Sequence, residues 1–171
     1  MPGTPLARRS FPPVVDAAAR VLVLGTLPGE ESLRRQQYYA HARNAFWPIL
    51  FALFEGLVEA DYSARVAFAK AHRVALWDVC RSGERAASAD ATIRRIEPNA
   101  IPALLDAHPG IAAVAFNGST ARRLHDRHFR RRPGLSYLAL PSTSPANAAL
   151  DFAAKLVRWR ALRDLAAGPS T

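Results

Sequence analysis

Two asparagines, a tyrosine pair and a run of hydroxyls are the side chains of this sequence best suited to act on a ligand. Asn44 closes the segment Tyr38-Tyr39-Ala40-His41-Ala42-Arg43 and stands just before an apolar helical stretch. Its side chain can cap that helix by accepting a backbone N–H, and a catalytic use of the amide is the other reading. Asn117 ends an apolar run and precedes Gly118; it suits a turn with an unusual backbone conformation, and its amide could also pair with a purine edge. Tyr38 and Tyr39 are either core aromatics or a face on which a base extruded from DNA would stack. Ser142, Thr143, Ser144 and Pro145 offer hydroxyls and backbone N–H groups where a helix is expected to start, either a plain turn or a phosphate-binding end. His41 has no second histidine or carboxylate at ligand spacing, so no metal site is expected. Cys80, the single cysteine, excludes a disulfide framework and any cysteine-ligated zinc or iron–sulfur centre.

The elements that must position these residues alternate between short apolar runs and helical patterns. Strands are expected at 20–24, 74–79, 111–116 and 136–140. Helices are expected at 14–19, 44–57, 61–71, 98–107, from about 119 onward, and at 148–165; 25–44 and 80–90 have a loop's composition. Such alternation predicts an α/β chain, a three-layer α/β/α sandwich around a central, mainly parallel four-stranded sheet. In such sheets ligands bind beyond the carboxyl ends of the strands. The loops 25–44, 78–92, 117–120 and 141–147 should therefore converge there. At 171 residues this is one domain, 14–166, with short tails at 1–13 (Pro-rich and basic) and 167–171.

The chain carries 23 Lys+Arg against 14 Asp+Glu, a formal net charge of +9. That balance favours an anionic partner, nucleic acid first. Only Lys70 and Lys155 are lysines, so the excess is arginine, which also fits a GC-rich coding sequence. Six arginines between Arg122 and Arg132 suggest phosphate contacts, against the alternative of a solvated face. There is no apolar leader and no run of ~18 apolar residues, so a cytoplasmic, membrane-free protein, working as a monomer at the nucleoid, is expected.

Four blocks together, GTLPG at 25–29, YYAHARNAFW at 38–47, FNG at 116–118 and LPSTSPAN at 140–147, resemble the uracil-DNA glycosylase superfamily, most closely its hypoxanthine-DNA glycosylase branch. The resemblance runs from about Val21 to Trp159; the second and fourth blocks are its specific part. It implies a cofactor-free DNA repair enzyme that flips out a deaminated base, hypoxanthine first, and hydrolyses the N-glycosidic bond without a lyase step. The alternatives are a uracil or mismatch glycosylase of the same fold and a catalytically silent DNA-binding module. Carried over by residue, the resemblance implies that Asn44 orients the attacking water. Tyr39, Asn117, Leu27 and Asp78 would meet the base, although Asp78 could instead only cap the following turn. Gly25, Thr26, Pro28, Gly29, His41, Ser142, Thr143, Ser144, Pro145 and Asn147 would meet the DNA. Leu27 departs from many relatives, which carry Asp or Asn there to hold the water.

Overall fold

The computed structural model describes residues 7–85 and 90–169. In chain order the elements are β1 (Ala7–Arg9), β2 (Val21–Gly25), α1 (Glu30–Arg35), α2 (Phe46–Leu53), α3 (Tyr62–Ala71), β3 (Val74–Asp78), β4 (Cys80–Glu84), a 3-10 turn (Asp90–Thr92), β5 (Arg94–Pro98), α4 (Ile101–Ala107), β6 (Ala113–Asn117), α5 (Ser119–His128), β7 (Ser136–Leu140) and α6 (Phe152–Ala167).

The parallel strands lie in the order β3-β2-β6-β7. β2 and β6 are buried along their whole length, because both faces of the sheet are covered. Val21, Val23, Leu76, Ala113 and Ala115 pack under α2, α3 and α6; Leu22, Leu24, Ala75, Val114 and Phe116 pack against α4 and α5. Continuous apolar runs are what a doubly covered sheet requires. Asp61 and Asp151 start α3 and α6 by accepting the N–H groups of Ala64 and Ala154. The α/β/α sandwich with a four-stranded parallel sheet is thus as read from the sequence.

A second sheet was not foreseen: antiparallel, in the order β1-β4-β5. Its β4 takes up Cys80–Glu84, expected as loop, and its β1 takes up Ala7–Arg9, expected as part of a tail. The strands are polar and half-exposed, and β4–β5 pairing shifts register twice, so no clean alternation marks them. Residues 14–19 are not helical: Val14 bridges Leu76, and the Asp16 carboxylate folds back to the Ala18 N–H. The loop after β2 contains α1, whose Glu31 pairs with Arg34 and Arg35. α2 starts two residues later than expected and stops early, where Glu55 turns left-handed at φ 56°. α6 starts at Phe152 rather than 148.

Candidate active site

Gly25 and Asp78 are in register on β2 and β3, and Asn117 follows Phe116, the partner of Leu24 on β6. Asp78, Gly25 and Asn117 therefore form one row across three strand ends, on the face that Val23, Leu76 and Ala115 present to α2 and α6. A side chain on Gly25 would close this row, since an added Cβ would lie 2.7 Å from Asp78 Oδ1 and 3.3 Å from the Tyr39 hydroxyl. Bare glycine gives the Asp78 carboxylate and the Tyr39 hydroxyl room to lean over it, and a pocket of about 350 Å³ opens there, its walls including Phe11, Gly25, Tyr39, Asn44, Asp78, Asn117 and Ser142. β2 has its two neighbours reached through helices on opposite faces, which makes this the switch point of the sheet.

The tyrosine pair divides. Tyr38 is core, donating its hydroxyl to the Phe11 and Pro12 carbonyls. Tyr39 enters the pocket with its ring stacked on Phe46 at 4.1 Å and its backbone at φ 55°, a conformation that a bulky residue rarely adopts. Its buried hydroxyl has no hydrogen-bond partner among the described residues. Burial, then the Asp78 charge, push this phenol well above its ordinary range; the neighbouring Asn117 amide tempers the rise without forming a well-made bond to it.

Asn44 is not the N-cap itself, which is Ala45. Its Oδ1 accepts the Phe46 N–H at 3.0 Å from one residue further out, leaving a second lone pair and the NH₂ group for the pocket. His41 is exposed, its Nδ1 taking the Arg43 N–H.

Asn117 is half engaged. Its Nδ2 donates to Thr143 Oγ1 and its Oδ1 accepts from Thr143 N, both at 2.9 Å, so one N–H and one lone pair remain for a base edge. This corrects the expectation for Thr143: its hydroxyl is buried against Asn117 and serves as a brace, whereas a phosphate would need it exposed. The loop also departs from expectation in standing well before α6. Ser142 and Ser144 instead accept the N–H groups of Ser144 and Ala146, and Asn147 donates to the Ser142 carbonyl. The turn is thereby prefolded, and Pro145 lines the pocket with Ser142 and Ser144. Gly118, at φ 99°, lets the chain pass Ser142 where a Cβ would meet it at 3.1 Å.

Leu27 borders the pocket, with its side chain buried in the core cluster that holds Val79 and Cys80 and lying against Gly83 of β4. The Thr26 hydroxyl donates to Asp90 Oδ1 at 2.9 Å. What fixes the GTLPG loop, with Pro28 and Gly29, is a residue that sequence reasoning missed. Arg85 is buried after β4; its Nη2 donates to the Leu27 and Pro28 carbonyls at 3.1 and 2.8 Å, and its Nη1 pairs with Asp90 at 2.7 Å. Arg8 reaches the same Pro28 carbonyl from β1. The available signal was an Arg and an Asp five apart in a segment otherwise small and polar. Lys155 was also missed as a loop anchor: it is buried on α6 and points Nζ at the Ser144 carbonyl, 3.4 Å away.

Among the described residues no backbone N–H donates to the Asp78 carboxyl, so it caps no turn there, and its Oδ2 is buried without a hydrogen-bond partner. Burial pushes its carboxyl up to about 7; the Arg85 charge pulls the other way and the Asp90 carboxylate adds to the rise. Of the basic cluster, Arg131 pairs with Asp126 and lies over Tyr137, and Arg132 pairs with Asp106. Exposed Arg122 and Arg158 line a groove that runs from the 141–147 loop past β7. Among the described residues no group of His, Cys, Asp or Glu could hold a metal ion, and no helix is long and apolar enough to cross a membrane.

Residues 12–166 match the family model described as the uracil DNA glycosylase superfamily. The chain is 35% identical over 143 residues to a hypoxanthine DNA glycosylase of Methanosarcina barkeri, and 36% identical over 143 residues to one of Methanosarcina acetivorans; each alignment covers 83% of this chain and 89% of the relative. A solution NMR structure of a candidate uracil DNA glycosylase from Methanosarcina acetivorans superposes with a TM-score of 0.79 at 32% identity, over 94% of this chain and 99% of that one.

Proposed function

Because the chain belongs to the uracil DNA glycosylase superfamily, it is a DNA glycosylase, and we propose that the base it excises is hypoxanthine, flipped from deoxyinosine in DNA. The observation that carries this reading is the pocket at Gly25, a base-sized space with an aromatic wall at Tyr39 and polar groups at its edges. Excision of a base that way requires stacking, edge recognition and a placed water. Tyr39 stacks on the base, held rigid by Phe46. Asn117 gives its remaining N–H and lone pair to the base edge, its orientation locked by Thr143. Asn44 holds the attacking water on the Oδ1 lone pair that Phe46 leaves open, and no side chain of the GTLPG loop competes for that task, Leu27 being core.

The C1′–N bond breaks through an oxocarbenium-like state and the electron pair leaves with the base; water adds at C1′ and gives up a proton, and the departed base takes one up. Fixed dipoles that stabilise the departing base contribute most. Hydrolysis ends the reaction, because Lys155 is held under the Ser144 carbonyl and Lys70 lies on α3; neither can form an imine at the sugar. Ser142, Ser144 and Pro145 press on the phosphates beside the lesion, with Asn147 bracing the turn. The enzyme works as a monomer, inside the cell, on the chromosome.

The test is single-turnover excision from duplexes carrying deoxyinosine, deoxyuridine or deoxyxanthosine, followed by alkaline strand cleavage. Cleavage at inosine well above the others is the expected result. Preference for uracil assigns the chain to a different substrate, and intact strands in all three make it a DNA-binding module.

A further inference from the structure

We propose that Asp78 meets the flipped base as a neutral carboxylic acid, donating its O–H to the base carbonyl and accepting the ring N–H beside it. The inference rests on the reading that the base is a deaminated one, since hypoxanthine, xanthine and uracil all present a carbonyl next to a ring N–H.

The geometry begins with position. Asp78 flanks the pocket at Gly25 on the side opposite Asn117, two strands away, about 10 Å across the sheet. A base in this pocket, which both residues line, meets Asn117 at one edge and Asp78 at the other. The second observation is the orphaned oxygen: Asp78 Oδ2 is buried and no donor among the described residues reaches it, although native proteins pair nearly all such atoms. A buried carboxylate without donors is costly, while a carboxylic acid brings its own proton and asks only for an acceptor. An ionised Asp78 would also set its lone pairs against the base carbonyl.

The groups around it agree. Arg85 is the cation nearest in the network, but it is engaged by Asp90 and two loop carbonyls. Asp90, Tyr38, Tyr39 and Cys80 surround the site with an anion and three weak acids, and none offers positive charge. As the glycosidic bond breaks, negative charge grows on the base, and a hydrogen bond from Asp78 to the carbonyl strengthens with it.

The experiment pairs carbon NMR of the Asp78 carboxyl in the wild-type protein with single-turnover excision between about pH 5 and pH 9, for wild type, Asp78→Asn and Asp78→Ala, on inosine, xanthosine and uridine duplexes. Which duplex is cut tests the substrate reading; the pH profile on whichever is cut tests Asp78. Wild-type excision should fall about tenfold per pH unit once the carboxyl ionises. Asp78→Asn keeps a donor and an acceptor at every pH, so its profile should lie flat through that range. Asp78→Ala should be slow throughout, by ~10²-fold. An Asn variant that follows the wild-type decline, or is as slow as the Ala variant at every pH, overturns the proposal. So does an NMR titration that finds the carboxyl ionised at pH about 5, even if no duplex is cut.

Discussion

Replacing Arg85 with methionine should unfasten the GTLPG loop from the second sheet, at a cost that follows from what the guanidinium holds. Three interactions vanish: the pair with Asp90 at 2.7 Å and the bonds to the Leu27 and Pro28 carbonyls at 3.1 and 2.8 Å. Breaking a buried ion pair by removing one partner costs ~3–5 kcal/mol when the other charge is stranded. Asp90 is 35% exposed and still receives the Thr26 hydroxyl, so it rehydrates in part and the lower end applies. Two carbonyls then lose a charged donor, at ~1–3 kcal/mol each, but the three terms share one side chain and do not add. A total of roughly 3–5 kcal/mol is expected. Methionine keeps most of the stem's packing, so little of this is lost volume. At about 2–4 °C per kcal/mol for a chain of this size, the melting temperature should fall by about 6–20 °C. Arg85→Lys should recover little, because one ammonium cannot span Asp90 and both carbonyls. Urea unfolding and thermal melts give the stability, and single-turnover excision below the melt should fall as the loop beside Gly25 loosens. A methionine variant that melts within about 2 °C of wild type and excises normally would refute the clamp.

Asn44→Ala should cost ~1 kcal/mol as the lost acceptor for Phe46 and ~10²-fold in single-turnover rate, whereas Asn44→Asp keeps the fold; wild-type excision by folded Ala variant removes Asn44 from the chemistry. Gly25→Ala puts a methyl 2.7 Å from the Asp78 carboxylate, an overpacking of ~1–3 kcal/mol that should abolish base binding, and retained lesion binding would show that the base sits elsewhere. Replacing Arg122 and Arg158 together with alanine should flatten the log–log salt dependence of DNA binding by about 0.9 for each phosphate no longer neutralised; an unchanged slope leaves them solvated. Asp78→Asn should also change stability against pH. The folded carboxyl at about 7 lies above its unfolded value of 3.8, so wild type holds an extra proton between those limits and loses stability as pH rises through them. Relative to wild type the Asn variant should gain up to ~4 kcal/mol from pH about 4 to about 8, at 1.36 kcal/mol per unit; a gap in urea unfolding that does not move with pH would refute this.

What could be read from the sequence follows from where burial imposes a pattern. β2, β3 and β6 are buried over most of their length, so their apolar runs stand out; the edge strand β7 is half-exposed but keeps an apolar run and spans the expected residues 136–140. β1, β4 and β5 obey no such constraint. They are held by backbone pairing and by arginine bonds to carbonyls, and neither leaves a mark on hydropathy. The site residues at strand ends, Asp78 and Asn117, were legible because the topology sends them there. Their partners were not. Thr143 reads as one hydroxyl among three until the 117–143 contact is seen, and Arg85 reads as loop composition until the second sheet turns it inward.

The pocket's polar groups fall into two sets, and the division argues for a preorganised enzyme site. Arg85, Thr26, Thr143, Ser142 and Ser144 are engaged within the fold and hold its loops still. Among the described residues Asp78 Oδ2 and the Tyr39 hydroxyl, and with them the Nε of the otherwise engaged Arg85, are buried without partners, and Asn44 and Asn117 each keep a bonding position open. A fold selected for stability alone would satisfy or remove such atoms, since each orphan costs ~1–3 kcal/mol. They persist around the pocket at Gly25, at the one place in the sheet where the connections diverge. A base entering there takes up the open positions of Asp78 and Asn117 while its attacking water takes that of Asn44, and bonds that tighten as charge moves onto the leaving base favour the transition state over the bound substrate.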